Sequence, residues 1–325
     1  SINFYNKALA LDPSYAEAYN NLGTVLYEKK DHIKALKAYN KAIKIYPKYA
    51  EAYYNKANLL KFCNKNRRAK VNFKKAILLR NNYPKAYNSL GNVFHEENNL
   101  HEAIFNYKTA LALRQNYPEA YFNLGNALLD LEEFEEAIEM YKKSLLLRPN
   151  YFGVYVNMVF ALKNVTINKA DRSLQFNILK LLERKDIVRP TTISTQAINL
   201  LKFDPTLLKL LKLYNEKNSK LPLIEILITL SKIPLLLKLM SSCPLPDLEF
   251  ENLFKHLRSL VLYSISEIDD NSQILPFQSA LALQCFTNEY VYFEKEHDTK
   301  NLKILKKNVK KTLLNGGQPK PQVLL

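Results

Sequence analysis

Two histidines lie close together in the sequence, and imidazole side chains are common ligands of catalytic zinc. The stretch HEENNLH places His95 and His101 six residues apart, with Glu96 and Glu97 between them. A metalloprotease helix carries its two histidines at positions i and i+4, because both imidazoles must then face the same metal ion. The longer spacing turns the two rings to different faces, so we expect two surface histidines and no metal site.

A cysteine and a histidine near the end of the chain have the chemistry of a nucleophile and its base. His297 follows Cys285 by twelve residues, and such a pair could in principle form a covalent intermediate. No glycine that could build an oxyanion-binding turn accompanies it, and a cysteine in an apolar helical segment is usually packed in a core. The other two cysteines, Cys63 and Cys243, show no pairing or metal-ligand spacing. The set therefore indicates neither catalysis nor disulfides nor zinc, and favours a reducing, cytoplasmic location.

Cofactor binding is not indicated either. The chain has six glycines, and they are too scattered to form a Gly-rich phosphate or adenosylmethionine loop: Gly23, Gly91, Gly125, Gly153, Gly316 and Gly317. We therefore expect no cofactor and no activity of the chain by itself. The most apolar stretch, at 221–246, is interrupted by Glu225, Lys232, Pro234 and Lys238, so we expect no membrane-spanning segment.

The composition is that of a globular protein with an excess of positive charge. Of 325 residues, 47% are hydrophobic and 24% are charged, with a formal net charge of +16. Residues 1–150 contain 23 Lys and Arg against 15 Asp and Glu, which leaves 24 against 16 for the remainder. Because no separate basic domain exists, the charge indicates solubility and makes nucleic acid an unlikely partner.

The helical elements are predicted by an internal repeat. Five tyrosines lie 34 residues apart, at Tyr19, Tyr53, Tyr87, Tyr121 and Tyr155. Each interval contains two segments with apolar residues three and four apart, for example AEAYNNLGTVLYEKK and HIKALKAYNKAIKIY, which is typical of amphipathic helices. The repeat therefore predicts helical hairpins, each with a helix A and a helix B joined at a turn such as KKDH.

Small and large residues alternate at fixed places in this repeat. Small residues recur at positions that bring helix A close to helix B: Gly23 and Ala35, Ala57 and Ala69, Gly91 and Ala103, Gly125 and Ala137. In each helix B an aromatic residue lies four residues after the alanine, on the same helical face, and we expect it to wedge between one hairpin and the next: Tyr39, Phe73, Tyr107 and Tyr141. Pro47 and Pro149 should end their B helices, and Asn81 and Gln115 should give softer ends.

The pattern Tyr19, Leu22, Gly23, Ala35, Tyr39, Ala42 and Pro47 resembles the tetratricopeptide repeat. The resemblance covers residues 1–165, as a half unit at 1–15, full units at 16–49, 50–83, 84–117 and 118–151, and a degenerate unit from 152. It implies an all-α, right-handed solenoid whose A helices line a concave groove. Lys56 departs from the pattern where the other units have leucine, so we expect the second unit to be looser.

The resemblance also implies which residues face the groove. They are rich in asparagine: Asn20, Asn21, Thr24, Tyr54, Asn55, Asn58, Asn88, Ser89, Asn92, Phe122, Asn123, Asn126 and Asn157. An amide donates and accepts, so a ladder of asparagines can hold the backbone of an extended peptide whatever its side chains are. The ladder at Asn21, Asn55, Asn123 and Asn157, broken by Ser89, resembles the groove of repeats that precede O-linked sugar transferases. The alternative is compositional drift, since the whole chain is rich in asparagine.

Two other binding modes are less well matched. The carboxylate clamp that holds chaperone C-termini in this family needs basic residues on adjacent A helices, and only Lys61 and Lys85 come near such places. The basic run at 61–75 and the acidic run at 130–136 could form a bipolar docking surface, or could be solvated helix faces and loops.

The second half is predicted to be a smaller all-helical domain at 166–325. Prolines divide leucine-rich segments with helical spacing at 192–203, 205–217, 221–232, 234–243, 247–265 and 275–296, and Asp247 is placed to cap its helix. The segments at 234–262 and 280–296 resemble the region that joins the repeats to the catalytic domain in bacterial repeat-containing methyltransferases. That resemblance implies a chain truncated before a cofactor-binding domain beyond Leu325.

The sequence thus predicts a non-catalytic scaffold that binds a protein or an extended peptide, without membrane, metal or cofactor. The alternative is the non-catalytic part of a methyltransferase, or second of an O-linked glycosyltransferase.

Overall fold

In this computed structural model the described residues are 2–184, 186–215, 222–264 and 273–287, with Lys303 and Lys307. They form seventeen α-helices and one short 3-10 helix at Pro190–Thr192, and no β-strand occurs among them. The chain divides into two compact units, residues 1–161 and 162–325. The all-helical class predicted from the sequence is confirmed.

The first unit is a series of antiparallel helix pairs. Repeats 1 to 4 are the pairs α2–α3, α4–α5, α6–α7 and α8–α9, in which the even-numbered helix is A and the odd-numbered helix is B. The helices are α1 (Ile2–Leu11), α2 (Ala16–Glu28), α3 (His32–Ile45), α4 (Ala50–Phe62), α5 (Asn66–Leu79), α6 (Pro84–Glu96), α7 (Leu100–Leu113), α8 (Pro118–Asp130), α9 (Phe134–Leu147) and α10 (Phe152–Asn164). All four B helices end at equivalent residues, so the softer ends expected at Asn81 and Gln115 are not observed.

The turn between helix A and helix B has the same backbone in every repeat. A residue with positive φ follows each A helix, at Lys30, Asn64, Asn98 and Glu132, with φ between 57° and 65°. The next residue donates its N–H back to a carbonyl five residues earlier, as Asp31 does to Leu26 at 2.9 Å and Lys65 does to Leu60 at 2.9 Å. These bonds occupy carbonyls that a helix end leaves unpaired, so each turn ends one helix and starts the next.

The glycines of the A helices lie under tyrosine rings of the same repeat. A Cβ built at Gly23, Gly91 or Gly125 would lie 2.5–2.7 Å from the ring of Tyr39, Tyr107 or Tyr141. These rings are at most 2% exposed. The expected wedge between hairpins is thus first of all a contact within one hairpin, and the glycine is needed because the ring occupies the space of its side chain.

Successive repeats stack with their A helices together. Helix α2 contacts α4, α4 contacts α6, and α6 contacts α8 more extensively than the B helices contact one another. Such an arrangement places the A helices on the inner side of the stack. We call the surface formed by α2, α4, α6, α8 and the first part of α10 the A-helix face.

The second unit is a helical assembly without a repeat. Its helices are α11 (Arg172–Glu183), α12 (Ser194–Lys202), α13 (Pro205–Asn215), α14 (Leu223–Ser231), α15 (Pro234–Met240), α16 (Leu248–Tyr263) and α17 (Leu275–Thr287). Helix α15 packs against α11, α12, α14 and α17 and buries Leu235, Leu236 and Leu239. Asp247 caps α16 by accepting from the N–H of Phe250 at 3.1 Å, as the sequence predicted. The predicted segment at 275–296 is described only as far as Thr287.

None of the helices among the described residues is long and apolar enough to cross a membrane.

Replacing Gly91 with alanine tests the contact between glycine and ring. We expect Gly91→Ala to lower the free energy of unfolding by about 1–3 kcal/mol, because the buried ring of Tyr107 must move. Gly153→Ala is the control, since a Cβ there would lie 3.4 Å from Phe122, an ordinary contact, and glycine in a helix is unfavourable. Equal chemical denaturation midpoints for both variants and the parent would contradict the assigned packing.

Candidate functional site

The predicted groove residues lie on the A-helix face, but two of the thirteen are buried. Asn21 is exposed, whereas Asn20 and Asn88 are only 2% and 6% exposed. The expectation that all of them face outward is therefore wrong for Asn20 and Asn88. The remaining residues of the set are partly exposed: Thr24, Tyr54, Asn55, Asn58, Ser89, Asn92, Phe122, Asn123, Asn126 and Asn157.

Amide side chains connect consecutive repeats on this face. Asn55 donates its Nδ2 to Oδ1 of Asn20 at 3.0 Å, and Asn123 donates to Asn88 in the same way at 3.1 Å. Both bonds join residues 35 apart. Each bond therefore links one A helix to the next A helix, at a position one residue beyond the equivalent one. A buried amide needs such partners, and the asparagines therefore hold repeats together as well as lining the face.

Hydroxyl groups of B-helix tyrosines hydrogen-bond to side chains of the same surface. Tyr107 donates to Oδ1 of Asn92 at 2.7 Å, and Tyr141 donates to Oδ1 of Asn126 at 2.9 Å. Asn157 also donates to Asn126, at 2.8 Å. Because their oxygens accept from these donors, Asn92 and Asn126 are held in one orientation.

Repeats 1 and 2 vary this arrangement. In repeat 1 the hydroxyl of Tyr39 lies 3.4 Å from that of Thr24. In repeat 2 the equivalent ring is Phe73, which has no hydroxyl. The amide of Asn58 therefore lacks the partner that the equivalent asparagines have, and it is partly exposed.

The floor of the face alternates between polar and aromatic layers. The position of the buried Asn20 and Asn88 is occupied in the repeats between and after them by Tyr54 and Phe122. Tyr54 packs on Tyr83 with ring centroids 5.1 Å apart, and Phe122 packs on Tyr151 at 5.0 Å. A polar layer thus recurs in every second repeat, between aromatic layers.

A cleft lies on the face around repeats 3 and 4. It has a volume of about 710 Å3. Five of the predicted residues come together there: Tyr54, Asn88, Ser89, Asn92 and Asn123. Asn88 and Asn123 form its polar floor, and Tyr54 and Tyr151 lie on either side.

Basic side chains that the sequence analysis overlooked form the rim of the cleft. Arg114 and Arg148 line it, and each guanidinium stacks on the tyrosine three residues later, with 4.9 Å between the guanidinium carbon and the ring centroid. Arg80 stacks on Tyr83 in the same way at 5.0 Å. The signal was present in the sequence, since these arginines recur with the 34-residue period.

The histidines and cysteines singled out from the sequence do not assemble a reactive site in the described residues. His95 lies in the last turn of α6 and its Nε2 lies 2.6 Å from a carboxylate oxygen of Asp130, while His101 is exposed at the start of α7. Burial raises the pKa of the Cys243 thiol to about 11. The side chain of Cys285 and the whole of His297 lie outside the described residues.

Comparison with protein-family models identifies the repeats. A model described as TPR repeat matches residues 1–30 and 91–131, and one described as tetratricopeptide repeat matches residues 16–49 and 118–151. A second model of the latter description matches residues 38–70. No curated protein matches the chain.

Several solved structures resemble part of the chain. A crystal structure of MamA is 25% identical over 47% of this chain and 89% of its own, with a TM-score of 0.43. YrrB, described as a TPR protein with an unusual peptide-binding site, is 22% identical over 67% of this chain and all of its own, with a TM-score of 0.45. The first TPR of Spaghetti (RPAP3), bound to an HSP90 peptide, is 24% identical over 36% of this chain and 92% of its own, with a TM-score of 0.35. Since these scores lie below 0.5, these structures add no argument to the family-model matches, which cover parts of residues 1–151.

Buried tyrosines make the first unit sensitive to alkaline pH. Burial is the main reason that the pKa of Tyr49 and that of Tyr117 are raised to about 12, although hydrogen bonding with Asn20 and Asn88, respectively, opposes the shift. Burial also raises the pKa of Tyr107. The neutral phenol is favoured in the folded state, so its contribution is complete below the unfolded pKa of about 10 and is lost as the pH rises through the folded value.

We therefore expect the free energy of unfolding to fall between about pH 10 and pH 12. Tyr107→Phe should reduce this loss, because it removes one buried phenol and introduces the residue that repeat 2 has at this position. Denaturant midpoints measured across this range for both proteins, together with tyrosinate absorbance, test the expectation. The same pH dependence in parent and variant would show that Tyr107 does not contribute.

Proposed function

We propose that this tetratricopeptide-repeat protein binds an extended segment of a partner protein along its A-helix face. The observation that carries the proposal is the cleft of about 710 Å3, in which amide groups from two repeats are held side by side. Asn88 and Asn123 each use part of their hydrogen-bonding capacity on one another. An amide has two donor hydrogens and an acceptor oxygen, so groups on this floor remain for a bound backbone.

The fixed orientation of Asn92 and Asn126 favours a binding role for the asparagines over the alternative that they only reflect the composition of the chain. An exposed asparagine that only tolerates its position would have no fixed partner, whereas Asn92 and Asn126 accept from buried tyrosine hydroxyls. Ordering side chains before binding lowers the entropy that a ligand must overcome. Fixed amides on the A-helix face, of which Asn92 lines the cleft, therefore support recognition of a peptide backbone.

We further propose that the chain acts as a non-catalytic scaffold in the cytoplasm. Cys63 and Cys243 are free thiols, which fits a reducing compartment. Among the described residues, no group of three or more histidine, cysteine or acidic side chains could hold a metal ion. The likeness of the second unit to the linker of methyltransferases stays a prediction.

Substituting the amides at one repeated position tests the proposal. Serine occupies this position in repeat 3, as Ser89, so the triple variant Asn55→Ser, Asn123→Ser, Asn157→Ser uses a residue that the chain already tolerates. Each lost hydrogen bond should cost about 0.5–1.5 kcal/mol of binding, or about 1.5–4.5 kcal/mol in total if the effects add. Binding is measured on an array of random nonapeptides, by fluorescence of the labelled protein.

The double variant Lys65→Ser, Arg67→Ser is the matched control, because both residues are exposed or half-exposed at the start of the outer helix α5. It should change binding only through salt-sensitive steering. Circular dichroism and denaturation show whether the triple variant is folded at the assay temperature. Normal binding by the folded triple variant, with loss in the basic variant, would place the docking surface on the outer charged side.

A further inference from the structure

One charged position at the rim of the cleft differs between repeat 3 and the other repeats. In repeat 4, Arg148 stacks on Tyr151 and forms an ion pair with Glu119, which lies 29 residues earlier. Glutamate also occupies the equivalent position in repeats 1 and 2, as Glu17 and Glu51. Repeat 3 has Lys85 there, so the arginine of that repeat, Arg114, faces a cationic position where Arg148 faces an acid.

The cleft therefore contains two cations without an acidic partner. Lys85 and Arg114 both line it, and neither forms an ion pair within the part of the chain that the structure describes. Glu119, the one acidic residue of the lining, is engaged by Arg148. Like charges at one cleft repel, and their repulsion is removed when an anion binds between them.

Arg114 is oriented for a planar anion. Its guanidinium stacks on Tyr117 at 4.9 Å, and its Nε donates to the backbone oxygen of Asn116 at 2.9 Å. These two contacts fix the plane of the group and leave its terminal nitrogens for a ligand. A guanidinium held in this way matches the two oxygens of a carboxylate.

We propose that Lys85 and Arg114 bind the carboxylate of an aspartate or glutamate side chain in the extended segment that occupies the A-helix face. The inference rests on the proposed function and deepens it by naming an acidic residue as the determinant of specificity. Lys85 is the second residue of α6, and Arg114 is the residue that follows α7. Both lie at one edge of the face while Asn88 and Asn123 lie on the floor, so a backbone held by the amides reaches the cations through a side chain.

Lys85→Glu is the decisive variant, because it restores the residue type of the other three repeats. Arg114 then gains the kind of partner that Arg148 has in Glu119, so the variant should keep or increase its stability. Lys108→Glu is the matched control, since Lys108 is exposed on the outer helix α7 and the change in net charge is the same.

The test uses amidated nonapeptide pools that are random except for a central residue fixed as Glu, Gln, Lys or phosphoserine. The parent protein should bind the Glu pool roughly tenfold more tightly than the Gln pool, as expected for one hydrogen bond between charged groups. Lys85→Glu should abolish this preference, whereas Lys108→Glu should retain it.

Several outcomes would overturn the inference. Equal binding of the Glu and Gln pools by the parent would reject the carboxylate site while leaving the proposed function intact. Tighter binding of the phosphoserine pool, or of Gln peptides with a free C-terminus, would assign the cations to a phosphate or to a chain end. Absence of binding to every pool would reject the acidic site and the proposed function together.

Discussion

The first unit depends on the absence of a side chain under three tyrosine rings. At Gly23, Gly91 and Gly125 even one methyl group would lie 2.5–2.7 Å from the ring, well inside normal van der Waals contact. Glycine leaves room for these rings against helix A, and their hydroxyls lie 2.7–3.4 Å from side chains of Thr24, Asn92 and Asn126. The same contact therefore packs the hairpin and delivers a donor to the A-helix face. Repeat 2 supports this dependence, because its small residue is Ala57 and its ring is Phe73. The methyl group of Ala57 thus occurs together with a ring that lacks a hydroxyl group. Asn58 therefore has no tyrosine donor like those that orient Asn92 and Asn126.

The 34-residue period made much of the fold predictable from the sequence. It defined the hairpins, the turns and the small residues, because equivalent positions in a stack have equivalent neighbours. The same argument failed for the amides, since the bond from Asn55 to Asn20 joins non-equivalent positions 35 residues apart. The orientation of Asn88 depends on its contact with Asn123 in the next repeat. A comparison of equivalent positions does not reveal this contact. The arginines on the rim do follow the period, and they could have been found as residues three before Tyr83, Tyr117 and Tyr151.

In the second unit, apolar spacing predicted helices but not their partners. Helix α15 is short, and it is buried because α11, α12, α14 and α17 surround it. These helices lie at different distances from α15 along the sequence, so no sequence period predicts the contacts. The cap by Asp247 was predictable for the opposite reason, since a cap involves only a residue and the backbone three positions later.

The alternation of layers sets how a bound segment would be read. Contacting helices lie about 8–10 Å apart, so polar floors in every second repeat recur at about 16–20 Å along the face. An extended chain advances about 3.3 Å per residue, and five to six residues would therefore separate the parts of a ligand that meet Asn20 and Asn88. The aromatic layers at Tyr54 and Phe122 offer the intervening residues apolar contact instead of hydrogen bonds. Under the proposed mode of binding, the face would select a spacing of polar and apolar residues, while the break in charge at Lys85 would set the position of the acidic residue within that spacing.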